Sequence, residues 1–254
     1  MELVCSHASN TGRRSSNEDT EKIVQNFRED LFYAAIFDGH GGTLCSEWLA
    51  NNLDGIICKH LKEAGELSEE VLTKAFLEAD KSFVEYCEDN DDGFDDNYSS
   101  GSTCVSTIVD KKNKVIYAAN LGDAAAFLCR EGRVCEQLTF PHKPSEQEER
   151  DRIISAGMSV SFGRVNGVLA VSRAFGDKEF KRGPFAPQFL FSHNFFDPLF
   201  SSSESSRARK TTSLCCAVFQ ETWLLRKRQI FGFLPLFFLE QIYILNSFLP
   251  SDLL

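Results

Sequence analysis

The sequence predicts an α+β fold in which paired helices cover stacked antiparallel β-sheets. Two observations lead to this prediction. The first is the order of the patterns along the chain, which is a β-strand, two amphipathic helices and then several short β-strands. The second is that the later strand patterns follow one another through short turns. Such an antiparallel meander needs helices to cover its apolar faces.

The first strand and the turn after it are clearly marked. Residues 31–37 form the apolar run Leu-Phe-Tyr-Ala-Ala-Ile-Phe, which predicts a buried strand. The sequence Asp-Gly-His-Gly-Gly follows at 38–42 and predicts a glycine-rich turn.

Two helices are predicted next, over 43–62 and 68–87. In both segments apolar residues recur every three or four positions, so each helix would bury one face. Ser68 is followed by Glu69 and Glu70, and a serine cap with early acidic residues suits the amino-terminal end of a helix.

The remaining elements are shorter. An acidic loop over 89–100 leads into the strand series, and a charged helix precedes the last strands. We predict strands over 103–109, 115–121 and 125–129, a turn at 131–133, a helix over 145–156, a strand over 158–162 and a turn at 164–167.

Composition divides the 254-residue chain near residue 182. Residues 183–254 hold only five acidic and six basic residues, but twelve of the 23 phenylalanines. We therefore predict one folded domain over 1–182 and a divergent Phe-rich tail over 183–254. The net charge of −10 argues against a nucleic-acid binder, which would need a basic surface to contact phosphates.

The cysteines and the first residues indicate a reducing compartment. None of the nine cysteines forms a Cys-x-x-Cys motif, and several lie among apolar residues, as buried free thiols do. The first seven residues lack the charged and then apolar regions of a secretory signal. We expect a cytoplasmic or nuclear protein.

Three acidic segments are candidates for a metal site. Asp38 and Asp123 each follow an apolar strand pattern, and Glu18 and Asp19 form a third acidic segment. A carboxylate at the end of a buried strand is costly unless a cation neutralises it. Oxygen ligands favour Mg²⁺ or Mn²⁺ over Zn²⁺. For the turn at 38–42 taken alone, an ordinary glycine-rich turn remains the alternative interpretation.

Five segments within residues 1–181 match the motifs of a known family in their order. The segments are Arg14 with Glu18-Asp19, Phe37 to Gly42, Gly101-Ser102-Thr103, Ala119 to Asp123, and a block from Leu138 to Asp177. On these segments the chain resembles the metal-dependent Ser/Thr protein phosphatases, the PPM or type 2C family. The resemblance implies an α-β-β-α sandwich of antiparallel sheets flanked by helix pairs, here incomplete at its C-terminal end.

The resemblance also implies a metal centre of two Mg²⁺ or Mn²⁺ ions. Asp38 would bridge the two ions, and the carbonyl of Gly39 would bind one of them. Glu18 would hold water at the site, and Asp19 would support the carboxylate cluster. Asp123 would contribute to a weaker third ion.

Two further residues receive catalytic roles from the resemblance. Arg14 would clamp the substrate phosphate, which suits the fixed fork of a guanidinium group. His40 would protonate the oxygen of the departing serine or threonine, a contribution of about 10²–10⁴-fold for a general acid.

The chain departs from the family pattern at three places. Ala124 and Ala125 stand where the family usually has Ser-Arg, and Pro141 stands where it has Asp. Beyond Lys181 the family continues with an Asp-Gly and a late Asp-Asn. The two aspartates of the tail, Asp197 and Asp252, reproduce neither motif. The expected consequence is a metal site short of two anionic ligands.

Two functions follow as expectations. The first is hydrolysis of phosphoserine and phosphothreonine in phosphorylated protein substrates by a monomer. The alternative is a catalytically inactive phosphatase-like module that binds phosphoproteins or another partner. The apolar stretch Ile230–Leu249 raises a membrane-tethered form as a third interpretation. Pro235 and Glu240 weaken it, since an acid near the centre of a span costs about 2.5–3.5 kcal/mol.

Overall fold

The computed structural model of the chain describes residues 2–11, 14–28, 30–91, 93–129 and 136–181, together with the backbone of 213–219 and 240–245. Their helices are α1 (Leu44–Ala64), α2 (Glu69–Asn90) and α3 (Gln147–Ser155), with 3₁₀ turns at Asp96–Ser99 and Lys178–Lys181. Their strands are β1 (Glu2–Ala8), β2 (Thr20–Arg28), β3 (Leu31–Phe37), β4 (Gly39–His40), β5 (Gly101–Ser102), β6 (Cys104–Asp110), β7 (Val115–Leu121), β8 (Ala125–Cys129), β9 (Glu136–Gln137), β10 (Val160–Ser161), β11 (Arg164–Val165), β12 (Phe175–Gly176), β13 (Ser213–Phe219) and β14 (Glu240–Leu245).

A four-stranded antiparallel sheet lies at the centre of the described structure. Its strand order is β2-β3-β6-β7, in which β2 and β3 and likewise β6 and β7 follow one another in the chain, whereas α1 and α2 lie between β3 and β6. Strand β3 is buried along its length because both of its faces are covered. Its alternating side chains therefore enter two different cores.

One face of this sheet packs against α1 and α2. Tyr33 and Phe37 of β3 join buried residues of both helices, including Leu53 and Phe76. The hydroxyl of Ser68 accepts a hydrogen bond from the backbone N–H of Val71 at 3.3 Å and caps α2. The two helices predicted from the sequence are confirmed, with α1 over Leu44–Ala64 and α2 over Glu69–Asn90.

The other face packs against a second sheet with the order β1-β13-β14-β8-β9. Phe32 and Ile36 of β3 meet Ala126 and Leu128 of β8 in this second core. Strand β13 is parallel to β1 and to β14, whereas β14 and β8 are antiparallel. The described residues therefore form helix, sheet and sheet layers, and the predicted α+β class is confirmed. The described residues do not include a second pair of helices over the outer face of the second sheet.

The structure adds strands that the sequence patterns do not indicate, among them β1 and β2. Strand β2 has the sequence Thr-Glu-Lys-Ile-Val-Gln-Asn-Phe-Arg, and only Phe27 within it is buried. Partial burial explains the missing apolar run, because a partly exposed strand tolerates polar side chains where it faces water. The strand expected over 158–162 is shorter and forms β10.

Five cysteines within the described residues are free thiols. Cys45, Cys87 and Cys104 are buried in the core between the helices and the four-stranded sheet. Burial raises the pKa of all three thiols, that of Cys87 to about 11. They are therefore protonated at neutral pH and behave as small apolar groups.

Part of the predicted Phe-rich tail contributes strands to the second sheet, since β13 and β14 come from residues 213–245. The division of the chain at residue 182 stays a prediction. In the part of the chain that the structure describes, no helix is long and apolar enough to cross a membrane. The candidate span over 230–249 lies outside the described residues, except that 240–245 form β14.

Two leucines of α2 allow a matched test of this packing. Leu72 is 1% exposed in the core, whereas Leu77 is 41% exposed. We expect Leu72→Ala to lower the free energy of unfolding by about 2–5 kcal/mol, because it leaves a cavity. Leu77→Ala should cost less than about 1 kcal/mol. Urea unfolding of both variants measures the difference, and equal losses would contradict the burial of this helix face.

Candidate metal centre and active site

The strand register places three acidic segments at one end of the four-stranded sheet. Thr20, the first residue of β2, pairs with Phe37, the last residue of β3. Cys104 at the start of β6 pairs with Leu121 at the end of β7. Since the strands are antiparallel, the segments before β2, after β3 and after β7 all leave the sheet at the same end. These segments carry the acids predicted from the sequence, Glu18 and Asp19, Asp38, and Asp123.

Asp38 lies at the centre of this acidic cluster. Burial raises the pKa of its carboxyl group well above the usual value, and the charges of Asp19 and Asp123 raise it further. A hydrogen bond with the Asp19 side chain acts in the same direction, and only the charge of Arg14 opposes it. Carboxylates held this close repel one another, and a bound cation would relieve that repulsion.

Gly39 allows the backbone at Asp38 to approach the segment that carries Glu18. A Cβ atom at position 39 would overlap the carbonyl oxygen of Glu18. The hydroxyl of Ser46 donates to the same carbonyl at 2.6 Å, and the backbone N–H of Gly42 donates to the Glu18 side chain at 3.0 Å. The start of α1 and the glycine turn therefore fix both the main chain and the side chain of Glu18.

Asp123 is held by the turn at the end of β7. His142 and Gly122 exchange two hydrogen bonds. The backbone N–H of Gly122 donates to Nδ1 of His142 at 3.1 Å, and the backbone N–H of His142 donates to the carbonyl of Gly122 at 2.8 Å. Lys143 lies 3.6 Å from the carboxylate of Asp123. The segment after Pro141, where the chain departs from the family motif, thus anchors the candidate metal ligand Asp123.

His40 forms a close pair with Asp177. Its Nε2 atom lies 2.9 Å and 3.1 Å from the two carboxylate oxygens of Asp177. Burial lowers the pKa of His40, but the hydrogen bond and the charge of Asp177 more than offset this, so that the pKa of His40 is raised. The sequence patterns place Asp177 in the last family motif without indicating this contact.

A second charged cluster lies behind the acidic end of the sheet. Glu149 of α3 accepts hydrogen bonds from Arg152 and Arg173, and all three side chains are almost fully buried. Burial raises the pKa of Glu149, but the two arginines reverse the effect and hold it at about 2. Arg152 also donates to the carbonyl of Ser172, whose N–H donates to the carbonyl of His142. The cluster therefore supports the turn that carries Asp123.

The donor atoms at the sheet end fit a hard divalent cation, since they are carboxylate and carbonyl oxygens with a strong mutual repulsion. In the described residues, however, no three acidic, histidine or cysteine side chains converge closely enough to hold a metal ion by themselves. The structure places Asp19, Asp38 and Asp123 at one end of the sheet with Arg14 nearby, and the individual roles of these residues stay predictions.

The residues missed by sequence reasoning are those that act through pairing between distant segments. Strands β4, β5 and β12 form a small sheet in which Gly101 pairs with both His40 and Gly176. This register brings Asp177 beside His40. Glu149 and Arg173 are also far apart in sequence, since 24 positions separate them and β10 and β11 lie between. For Asp177 the available signal was an acid directly after an apolar motif, whereas α3 is charged throughout and its sequence does not single out Glu149.

The sequence profile of the family described as protein phosphatase 2C matches residues 4–211. The chain belongs to the protein phosphatase 2C family. Within the matched range lie every predicted site residue and the strands that position them. The resemblance inferred from the motifs is therefore confirmed.

Curated relatives and solved structures support the same assignment. The chain is 36% identical over 183 residues to protein phosphatase 2C homolog 3 of Schizosaccharomyces pombe, covering 70% of this chain and 42% of that protein. It is 32% identical over 195 residues to the human integrin-linked kinase-associated serine/threonine phosphatase 2C, covering 69% of this chain and 48% of that protein. A phosphatase structure from Toxoplasma gondii aligns with a TM-score of 0.57 and 25% identity, over 68% of this chain and 64% of that one. The chain thus spans less than half the length of these two curated relatives.

The buried environment of His142 predicts an acid-sensitive step in stability. Burial and the charge of Arg173 lower the pKa of His142 to about 3, from an ordinary value of 6.5. The folded protein therefore resists protonation that the unfolded chain accepts. Stability should be complete above pH 6.5 and fall as the pH drops towards 3, by at most about 1.4 kcal/mol per pH unit from this group.

The variant His142→Asn isolates this contribution, because an amide oxygen can still accept from the N–H of Gly122. Urea unfolding between pH 6.5 and 4.5 should show a shallower loss of stability in the variant than in the wild type. Parallel slopes in the two proteins would show that His142 is not held neutral by the fold.

Proposed function

We propose that this chain hydrolyses phosphoserine and phosphothreonine in phosphorylated proteins at the acidic end of the four-stranded sheet. The observation that carries the proposal is the strand register, which brings the segments of Asp19, Asp38 and Asp123 to one end of the sheet, where their charges and that of Arg14 act on one another. Membership of the protein phosphatase 2C family supports the same chemistry. The substrates would be phosphorylated proteins, and a monomer would suffice because all proposed site residues lie in one chain.

Two Mg²⁺ or Mn²⁺ ions are part of this proposal. Asp38 and the carbonyl of Gly39 would hold them, with Glu18 and Asp19 in support and Asp123 available to a weaker third ion. When bound, the ions would lower the pKa of a nucleophilic water and neutralise charge that develops on the phosphoryl oxygens. The raised pKa of Asp38 supports a cation site, because a carboxylate in this cluster gains most from neutralisation.

The chain's own residues would bind the phosphate and complete the reaction. Arg14 is exposed at the edge of the acidic cluster, where its guanidinium group could pair with two phosphate oxygens. His40, in the turn beside Asp38, would give a proton to the leaving oxygen. The acidic sheet end would thus organise the attack, and Arg14 would offset the repulsion between the acids and the incoming phosphate.

A second candidate function is a catalytically inactive module that binds phosphoproteins. It is favoured by the spacing of the acidic, histidine and cysteine side chains in the described residues, no three of which converge closely enough to hold a metal ion. The absence of the family's late Asp-Gly and Asp-Asn motifs from the tail points the same way. In this alternative Arg14 would still bind phosphate, and the remaining carboxylates would hold metal too weakly for turnover.

The variant Asp38→Ala tests the catalytic proposal. The full chain should release phosphate from a phosphothreonine peptide with Mn²⁺ but not with EDTA. We expect Asp38→Ala to lower this turnover by at least about 10³-fold, because it removes the central carboxylate of the site. The control Asp151→Ala removes an exposed acid of α3 and should retain wild-type turnover.

The same assay separates the two candidate functions. Turnover that Asp38→Ala leaves unchanged would contradict the proposed site. A folded, monodisperse wild type that binds the phosphopeptide without turnover at millimolar Mn²⁺ would favour the binding module. Loss of that binding in Arg14→Ala would then locate the phosphate site.

A further inference from the structure

We propose that Asp177 is the positioning residue of His40, and that it leaves Nδ1 as the ring nitrogen that serves the leaving group. The inference rests on the proposed phosphatase function and adds a residue to the same site. Asp177 would not touch the substrate. It would act by fixing the orientation and the tautomer of the histidine ring.

The contact between the two side chains is close and enclosed. Nε2 of His40 lies within 3.1 Å of both carboxylate oxygens of Asp177, and the Asp177 side chain is only 6% exposed. An ionised carboxylate has no hydrogen to donate, so Nε2 of His40 is the donor. A donor held in this way cannot also serve a substrate, which leaves Nδ1 for that task.

The backbone around the pair is shaped to allow it. Gly101 of β5 pairs with His40 of β4 on one side and with Gly176 of β12 on the other. A Cβ atom at position 101 would overlap both Nε2 of His40 and the carboxylate of Asp177. The contact between His40 and Asp177 across β4, β5 and β12 therefore requires a glycine at position 101.

The turn that carries Asp177 is anchored without the help of its carboxylate. The backbone N–H of Gly176 donates to Asp80 of α2, and the backbone N–H of Asp177 donates to the carbonyl of Ser100. Lys178 and Lys181 form ion pairs with Asp91 and Asp80. Because these contacts already hold the turn, the carboxylate of Asp177 is not needed for its structure.

Asp177 itself adopts a backbone conformation that few residues tolerate. Its φ angle is +48°, in the left-handed region where Asp and Asn are the favoured residues after glycine. The substitution Asp177→Asn therefore keeps the backbone preference and the side-chain shape. It removes the charge and adds an amide N–H that can donate to Nε2, which would favour the wrong histidine tautomer.

The proton balance of the proposed step is simple. The bond between phosphorus and the serine or threonine oxygen breaks, and that oxygen takes the Nδ1 proton of the imidazolium form of His40. The neutral ring keeps its hydrogen on Nε2, which continues to donate a hydrogen bond to the carboxylate of Asp177. Water supplies the OH that joins phosphorus, and its other proton restores the imidazolium.

The kinetic test compares two substrates with different leaving groups. A phosphothreonine peptide needs protonation of its leaving oxygen, whereas an activated aryl phosphate does not. With Mn²⁺ and the full chain, Asp177→Asn should lower kcat for the peptide at least about tenfold, which is part of the roughly 10²–10⁴-fold that a general acid contributes. For the aryl phosphate it should lower kcat less than about threefold.

Two further variants make the assignment specific. In a His40→Ala background, Asp177→Asn should change peptide turnover less than about twofold, because the two residues act as one unit. The control Asp110→Asn changes another acid that is almost fully buried, at the far end of β6, and should behave as wild type with both substrates. Equal losses on the two substrates, or additive losses in the double variant, would overturn the proposal.

A spectroscopic readout tests the pairing without any metal. In ¹⁵N-histidine spectra of the metal-free protein, the neutral ring of His40 should carry its hydrogen on Nε2 in the wild type and in Asp110→Asn. Asp177→Asn should move that hydrogen to Nδ1 or mix the two tautomers. An unchanged tautomer in Asp177→Asn would overturn the positioning role. Absence of phosphate release from the wild type would contradict the proposed function instead, while the spectra still report on the pair.

Discussion

Repulsion between carboxylates at one end of the four-stranded sheet is the constraint on which the site depends. The register of β2, β3, β6 and β7 forces Asp19, Asp38 and Asp123 to leave the sheet together. Burial then strengthens their interaction, because there is little water to screen it. A fold selected for stability alone would avoid such a cluster, so its presence argues for a ligand of opposite charge.

The surrounding structure keeps the repelling groups in place rather than letting them separate. Gly39 lets the main chain approach the carbonyl of Glu18, and Ser46 of α1 donates to that same carbonyl. On the other side, His142 holds the turn before Asp123, and it is held in turn by Ser172. The segments that carry Glu18 and Asp123 are therefore fixed by different packed elements, and no single loop carries the site.

Much of the fold and of the site could be predicted because local patterns specify them. The apolar run of β3, the amphipathic faces of α1 and α2 and the serine cap at Ser68 each depend on neighbouring residues only. The acidic residues at the strand ends could be predicted for the same reason. Antiparallel pairing then places the end of one strand beside the start of its neighbour. Family motifs then supplied roles for His40 and Arg14 that the residue types alone do not.

What could not be predicted depends on pairing between segments far apart in the chain. Strand β2 is half exposed and polar, so only its pairing with β3 makes it a strand. The contact between His40 and Asp177 spans 137 residues and requires two short strand pairings across Gly101. The ion pair between Glu149 and Arg173 likewise joins α3 to a distant segment, and nothing in the local sequence of α3 specifies it.

The pair of His40 and Asp177 also bears on the choice between the two candidate functions. A module that only binds phosphate needs positive charge, and a histidine held on a buried acid adds little to that task. Burying the carboxylate of Asp177 costs free energy, and the fold accepts that cost within a turn that α2 already anchors through Asp80. An oriented proton donor beside a carboxylate cluster has its clearest use in breaking a phosphate ester. For this reason the proposed pairing supports the catalytic proposal over binding alone, even though the described ligands do not by themselves complete a metal site.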